Sequence, residues 1–374
     1  MSKCILVTGG AGYIGSHAVK LLLDDGFDVV VFDNLSTGHF KAVDKRAKLF
    51  VGDIRDKYAV KALFEHQHID GVMNFAAKII VPESVSNPIS YYDDNIFGVL
   101  NLLRACSAYN VKNFVFSSTA AVYGTCSSEP IKEDHLLHPE SPYGFTKFVS
   151  ENLLIDSEKA YGIKHVIFRY FNVAGASKDS SIGEAHPVET HLIPVTVNSC
   201  LKDEEMTVFG NDFETRDGTC LRDYIHVLDL AKAHVLGMKY LLNGGHSDVF
   251  NLGSENGYTN LEIVNTVSKV LNKEVKYHFG PRRSGDAASI VASNVKAKEV
   301  LGWTVDNNLE DMIKDDYNFR KKNPSLYGRK TYLVPKGYKS ILLKYSTNNN
   351  VTNLYEDLEV EDIRNLASIS KNIK

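Results

Sequence analysis

No stretch of the 374 residues holds 18 consecutive apolar side chains, so no hydrophobic membrane-crossing helix is expected. The N-terminus enters an apolar run, Cys4-Ile5-Leu6-Val7, but a glycine cluster ends it within a few residues. That run is too short for a signal peptide. Cysteine is sparse: Cys4, Cys106, Cys126, Cys200 and Cys220 are scattered, odd in number and form no C-x-x-C pair. Neither a disulfide framework nor a zinc site is indicated, no metal is expected, and a reduced, cytoplasmic setting follows. Basic residues are not in excess: 42 Lys and Arg face 46 Asp and Glu, a formal charge of −4. That balance argues against a nucleic-acid partner or an anionic membrane surface. There is no internal repeat.

What is present is an alternation of two periods. Short apolar runs rich in β-branched residues cover 3–8, 28–33, 49–53, 71–77, 113–119 and 165–171. Helically spaced stretches lie between them, at 12–25, 57–67, 91–109 and 143–161. Near-continuous apolar strands separated by helices predict an α/β fold, a doubly wound parallel sheet of the Rossmann type. Ligands bind such a sheet outside the carboxyl ends of its strands, so functional residues are expected just after these runs.

Beyond about residue 172 the alternation loosens. Helices are expected at 191–201, 227–242, 260–271, 294–301 and 309–321, and strands at 206–210 and 248–253. The division that follows is a Rossmann domain over 1–172, rejoined by the strand near 248–253. A smaller mixed α/β domain over 173–329 is expected to hold the substrate. A C-terminal extension, 330–374, has no assigned role; 332–345 could hold a strand, 346–353 reads as an asparagine-rich linker, and the final stretch could be a helix.

The segment Thr8-Gly9-Gly10-Ala11-Gly12-Tyr13-Ile14-Gly15 follows the first strand and opens the first helix. It fits G-x-G-x-x-G through Gly10, Gly12 and Gly15, in the strand–turn–helix context that gives the pattern meaning. Glycine allows the tight turn, and the helix N-terminus offers N–H groups and partial positive charge to a pyrophosphate. Eighteen residues past Gly15 the second strand ends at Asp33. A carboxylate there accepts from an adenosine ribose and repels a 2′-phosphate, which favours NAD over NADP. Asp53 and Ile54, after the third strand, could face the adenine.

Ser141-Pro142-Tyr143-Gly144-Phe145-Thr146-Lys147 begins a helix, and Tyr143 and Lys147, four apart, share one face. Ser117-Ser118-Thr119 ends the fifth strand. A phenol with a pKa near 10 is only about 0.1% ionised at neutral pH, and lowering that value by ~3 takes about 4 kcal/mol. A lysine ammonium and a positively charged nicotinamide are expected to supply it. The tyrosinate then removes a hydroxyl proton as hydride leaves the same carbon, with the Thr119 hydroxyl on the same oxygen.

Together these residues resemble the extended short-chain dehydrogenase/reductase family, and within it the epimerases that invert C4 of UDP-hexoses. The similarity runs from residue 3 to about 327. It is carried by residues 7–17, 31–35, Phe75-Ala76-Ala77, 82–85, Asn95, 114–124, 141–147, 169–172, 222–226 and 282–286. The resemblance implies a sugar oxidised at C4 by tightly held NAD, a 4-keto intermediate that turns in the pocket, and return of the same hydride to the other face. It implies Tyr143 as base, Lys147 as its partner and Thr119 as helper hydroxyl. Cofactor contacts are implied for Gly9, Gly12, Tyr13, Ile14, Gly15, Asp33, Asn34, Asp53, Ile54, Phe75, Ala76, Ala77, Asn95, Ser117 and Tyr170, beside Tyr143 and Lys147. The UDP-sugar is expected on Asn172, His191, Leu192, Thr207, Val208 and Phe209, with Arg222 and Arg283 on the diphosphate and Asp286 on the ribose. The planar fork of arginine suits phosphate oxygens. Helices at 91–109 and 143–161 pair across a homodimer in the family; core packing explains their apolar residues as well.

Four positions depart from the family pattern. Thr119 replaces a frequent serine and keeps the hydroxyl. Ile79 stands where a cofactor-contacting lysine is common, and His191 where an asparagine is common. Ile290 aligns with a pocket-size residue: a tyrosine restricts the site to plain hexoses and a small residue admits N-acetyl sugars, so isoleucine predicts secondary turnover of UDP-N-acetylhexosamines. An epimerase of UDP-N-acetylglucosamine or a UDP-uronate is an alternative. A dehydratase is disfavoured, because Ala120-Ala121 occupies the stretch where its acid and base would stand. A non-catalytic NAD or UDP-sugar sensor is disfavoured by intact Thr119, Tyr143 and Lys147.

Overall fold

The computed structural model describes residues 2–125, 130–186, 189–283 and 286–327, and the backbone of 340–345 and 351–355. Along the first half run β1 (Cys4–Thr8), α1 (Tyr13–Asp24), β2 (Asp28–Asp33), β3 (Lys48–Val51), α2 (Lys57–His66) and β4 (Gly71–Asn74). Two short helices follow, α3 (Val81–Ser86) and α4 (Pro88–Tyr92), then α5 (Gly98–Ala108), β5 (Asn113–Ser117), α6 (Pro142–Tyr161) and β6 (Lys164–Tyr170). These strands form one sheet in the order 3-2-1-4-5-6, all parallel.

Alternate strand residues feed two cores. Ile5, Val7, Val29 and Val31 face the layer that contains α1, while Leu6, Val30 and Phe32 face the layer of α2 and α5. Both sets are at most 3% exposed, so every position of these strands favours an apolar, mostly β-branched residue. Each such side chain contributes roughly 1.5–3 kcal/mol on burial.

The stretch expected as one helix over 91–109 is broken. Asp93–Phe97 forms a π turn between α4 and α5. The extra residue turns Asn95 inward, where its amide donates to Lys78 O at 3.0 Å and Thr146 Oγ1 at 2.9 Å.

The second half runs β7 (Asn172–Ala174), α7 (Leu192–Lys202), β8 (Met206–Phe209), β9 (Leu221–Arg222), β10 (Tyr224–His226), α8 (Val227–Leu242), β11 (Asp248–Leu252) and β12 (Tyr258–Thr259). It ends with α9 (Asn260–Leu271), β13 (Tyr277–Gly280), β14 (Ser289–Ile290), α10 (Val295–Leu301) and α11 (Leu309–Lys322). β11 lies parallel beside β6 in the main sheet. α7, α9 and α11 enclose a separate core with Ile193, Val197, Ile263 and Ile313. The short strands pair as β7 with β10, β8 with β13, and β12–β9–β14; none of β7, β9, β10, β12, β13 or β14 is foreseen from periodicity, because two to four residues are too few to show one.

β15 (Ser340–Tyr345) pairs parallel to β3, and β16 (Val351–Tyr355) pairs antiparallel to β15. The first falls inside the strand expected over 332–345. The second corrects the linker reading of 346–353: Val351 belongs to a strand that finds its partner by edge pairing, a signal composition does not carry. The helix considered for the final stretch lies outside the described residues.

Candidate active site

The glycine segment turns sharply at the end of β1. Gly9 sits at φ +73° and its N–H reaches Phe32 O at 3.0 Å. A Cβ on Gly15 would run into the Gly9 carbonyl, so helix and turn approach as only glycine permits. Gly12 caps α1 without a side chain, and a Cβ there would meet only Gly9 O, at 3.2 Å. The start of α1 therefore opens onto space that other side chains leave free, with the helix N–H groups facing it. A pyrophosphate fits that opening.

Asp33 does more than the sequence suggests. Its Oδ2 accepts Ala11 N at 2.9 Å and its Oδ1 accepts Leu35 N at 2.8 Å, so the carboxylate shapes the glycine turn itself. Asn34 donates to Asp53 Oδ2 at 3.0 Å, and Arg55 pairs with the same carboxylate at 2.6 Å. Burial pushes Asp53 up, but Arg55 and Asn34 outweigh it and hold it below the usual range.

Several expected cofactor contacts are committed elsewhere. The Ile54 side chain packs in the core at 8% exposure. Asn95 gives its amide to Lys78 and Thr146, and its oxygen accepts Lys78 N at 2.8 Å. Its place is to fix the loop after β4 to α6. The Tyr13 hydroxyl donates to Gly175 O at 2.6 Å. Lys78 reaches Asp94 at 3.4 Å, while Ile79 beside it is 46% exposed. Phe75 stacks at 4.7 Å on His234, a residue the sequence did not single out. Ala76 packs on the α2/α5 core, and Ala77 and Ile14 line partly exposed ground near the turn.

At the carboxyl end of β5 the structure gathers the chemical set. Ser141 caps α6 through Gly144 N at 3.1 Å, with Pro142 in the first turn, so the helix begins just before Tyr143. Tyr143 N is held by Ser84 Oγ at 3.2 Å. The Thr119 hydroxyl lies on the side of the Tyr143 phenol and favours its ionised form. Lys147 Nζ donates to Ser117 O at 2.7 Å, and Ser117 Oγ lies 2.5 Å from the Tyr170 hydroxyl. Tyr143, Lys147 and Thr119 are 8%, 3% and 8% exposed.

Within the protein alone, burial governs both reacting groups. It pushes Tyr143 up to about 12, which the Thr119 hydroxyl only partly offsets. It pulls Lys147 down to about 7, partly offset by Glu151. The lowering expected from the ammonium together with a positively charged nicotinamide therefore has this desolvation to overcome. Glu151 lies one turn beyond Lys147, accepts Ser118 Oγ at 2.5 Å, and forms a two-point pair with Arg169 at 3.1 and 2.6 Å. Its i, i+4 spacing from Lys147 is the signal that would have found it. His234 also packs against Phe168 and Tyr170, and burial lowers it to about 4.

The expected sugar-nucleotide residues form a second group. Arg222 lies 3.4 Å from Asp286, Arg283 donates to Asp286 at 3.1 Å, and the Arg283 guanidinium lies 5.2 Å from the Phe209 ring centre. Asn172 donates to Asp223 O at 3.0 Å. Thr207 bonds His278 at 3.1 Å, on the strand face opposite the Val208 side chain. Val208 turns into the core at 1% exposure, and Leu192 packs against that core, so for Val208 only the backbone stands on the Thr207 and Phe209 side. Ile290 lies opposite Arg222 in the β9–β14 pair and packs on Val122 and Tyr123.

His191 caps α7 and places Nδ1 at 2.5 Å from Glu184 Oε1. It belongs to a cluster with Glu184, His186 and Glu189 whose possible ligand atoms all lie within 4.8 Å of one another. The sequence signal was there, two Glu and two His in eight residues, but cysteine-centred spacing does not reveal it.

Comparison with known proteins gives one answer. The family model for GDP-mannose 4,6 dehydratase matches residues 6–316. A UDP-glucose 4-epimerase from Lactobacillus helveticus is 50% identical over 325 residues, 86% of this chain and 98% of that protein. A crystal structure of a UDP-glucose 4-epimerase superposes with a TM-score of 0.86 at 47% identity, covering 87% of this chain and 100% of that one. Another, from Brucella ovis in complex with NAD, has a TM-score of 0.83 at 41% identity, covering 85% and 98%.

Proposed function

The chain belongs to the UDP-glucose 4-epimerase family, among the proteins that the GDP-mannose 4,6 dehydratase model covers, and we propose that it interconverts UDP-glucose and UDP-galactose, using NAD. The observation that carries this reading is the buried set of Tyr143, Thr119 and Lys147 at the carboxyl end of β5 and the start of α6. Gly9, Gly12, Gly15 and Asp33, with the backbone N–H groups of Tyr13 and Ile14, would hold the cofactor, on the open turn where α1 begins. Bound NAD supplies a hydride acceptor and donor for C4 and, when oxidised, a positive charge.

Tyr143 takes the proton from the C4 hydroxyl, and Thr119 holds the same oxygen in line. Bringing the phenol from about 12 to neutrality takes about 7 kcal/mol of preferential phenolate stabilisation. Lys147, when protonated, contributes part of it inside a pocket where charges interact strongly. Its bond to Ser117 O keeps the ammonium at one place. Returning the proton to the sugar oxygen completes the inversion without net redox change.

In this reading residues 1–172 hold the cofactor and 173–329 the nucleotide sugar, with Arg222 and Arg283 on the diphosphate and Asp286 on the ribose. Ile290 leaves intermediate room, which supports secondary turnover of UDP-N-acetylhexosamines. Exposed Tyr92, Phe97 and Phe145 on α4–α6 support a homodimer, and the scattered free cysteines support a cytoplasmic setting. No helix among the described residues is long and apolar enough to cross a membrane. Purified protein given UDP-galactose should yield UDP-glucose with no added reductant; binding without conversion would overturn the proposal.

A further inference from the structure

We propose that Glu184, His186, Glu189 and His191 form a binding site for one divalent transition-metal ion of the zinc type. The proposal is independent of the hydride chemistry. The donors are two imidazoles and two carboxylates, a set that suits zinc and its neighbours, whereas calcium and magnesium favour six or more oxygens.

The four possible ligand atoms are gathered within 4.8 Å of one another. Nδ1 of His186 and of His191 lie 3.0 and 2.5 Å from Glu184 Oε1, and each lies 3.7 Å from Glu189 Oε1. A tetrahedron of ligands at about 2.0–2.1 Å from zinc has edges of about 3.3 Å, so the 2.5 Å pair would open and the widest, within 4.8 Å, would close around the ion.

Burial supplies the second observation. Glu184 is 1% exposed, and its Oε2 has no hydrogen-bond partner. Glu189 Oε2 and the nearby Asp316 Oδ1 are buried and lack hydrogen bonds too. The Arg320 guanidinium lies 3.6 Å from the Glu189 carboxylate and 2.7 Å from Asp316, and it donates to the backbone oxygen of Glu184 at 3.4 Å. Two carboxylates and two imidazoles thus face one another, and a dication would take the place of protons the imidazoles can release. His186 and His191 are 25% and 44% exposed, which leaves the ion a way in.

The site joins two parts of the molecule. His186 borders a cavity with Ala11, Gly12 and Tyr13 of the glycine turn. His191 caps α7. An ion held here would link the surroundings of the glycine turn to the start of α7 and stabilise the fold.

The test uses tag-free, full-length protein stripped with EDTA and titrated with Zn2+ and, separately, Co2+. The expected result is one ion per chain by metal analysis, a higher thermal midpoint, and the intense visible bands of four-coordinate Co2+. His186→Gln and Glu189→Gln should each weaken binding roughly tenfold or more, while His68→Gln, at an exposed imidazole elsewhere, should not. No stoichiometric binding to the unaltered protein overturns the proposal, as does binding that survives both substitutions. Should a variant fail to fold, the Co2+ spectrum of the unaltered protein decides: bands at one equivalent support the site and their absence sinks it. Epimerisation is followed in parallel, so failure of the metal site and failure of the catalytic reading give separate results.

Discussion

Lys147 donates its ammonium to the carbonyl oxygen of Ser117 at 2.7 Å, joining the catalytic helix to the end of the fifth strand. The bond holds a charge that burial disfavours at a fixed place, on the helix face that also carries Tyr143 one turn earlier. Its consequences are open to measurement.

Tyr143→Phe removes the proton acceptor and leaves the ring in place. Turnover of UDP-galactose should fall about 10²–10⁴-fold, with little change in thermal stability. A coupled assay for UDP-glucose reads the first and thermal unfolding the second. Retention of full turnover would sink the assignment.

Lys147 also sets a pH dependence of stability. Its folded value is about 7 against 10.5 when free, so between those values the unfolded chain binds the extra proton. The penalty is complete below about pH 7 and is relieved as pH rises towards 10. Above 10 the sign changes, because Tyr143, raised to about 12, keeps a proton that the unfolded chain gives up. Cofactor-stripped Lys147→Met should therefore melt above the unaltered protein at pH 6–7, with the gap closing by pH 10, while epimerisation is lost. A gap that does not vary with pH would refute this.

Glu151→Gln leaves the Arg169 guanidinium, 4% exposed, without its charge partner. Breaking a buried pair from one side costs about 3–5 kcal/mol, to be read from denaturant unfolding. Replacing Glu151 also removes the carboxylate that supports the Lys147 ammonium, so the pH at which activity rises should move.

Ile290→Tyr should reduce turnover of UDP-N-acetylglucosamine about tenfold or more and leave UDP-glucose nearly unchanged, since the residue acts through pocket volume. Parallel assays on the two sugars check it. No turnover of the N-acetyl sugar by the unaltered protein, or no loss in the variant, counts against the role of Ile290.

Periodicity in the sequence was enough to mark the strands of the main sheet and the long helices, because both faces of those strands are apolar and the helices repeat every three to four residues. The glycine turn, Asp33 and the Tyr143–Lys147 pair were legible for the same reason: each is a short-range pattern whose chemistry follows from spacing. Tertiary structure alone decided what reaches across the chain. Asn95 bonds Thr146 from 51 residues away, Arg169 meets Tyr123 and Glu151, and Asp316 and Arg320 come beside Glu184. It also turned Ile54 and Val208 into cores, and set burial above charge at Tyr143 and Lys147. Local spacing records which side chains share a face; desolvation and long-range partners depend on the packed whole.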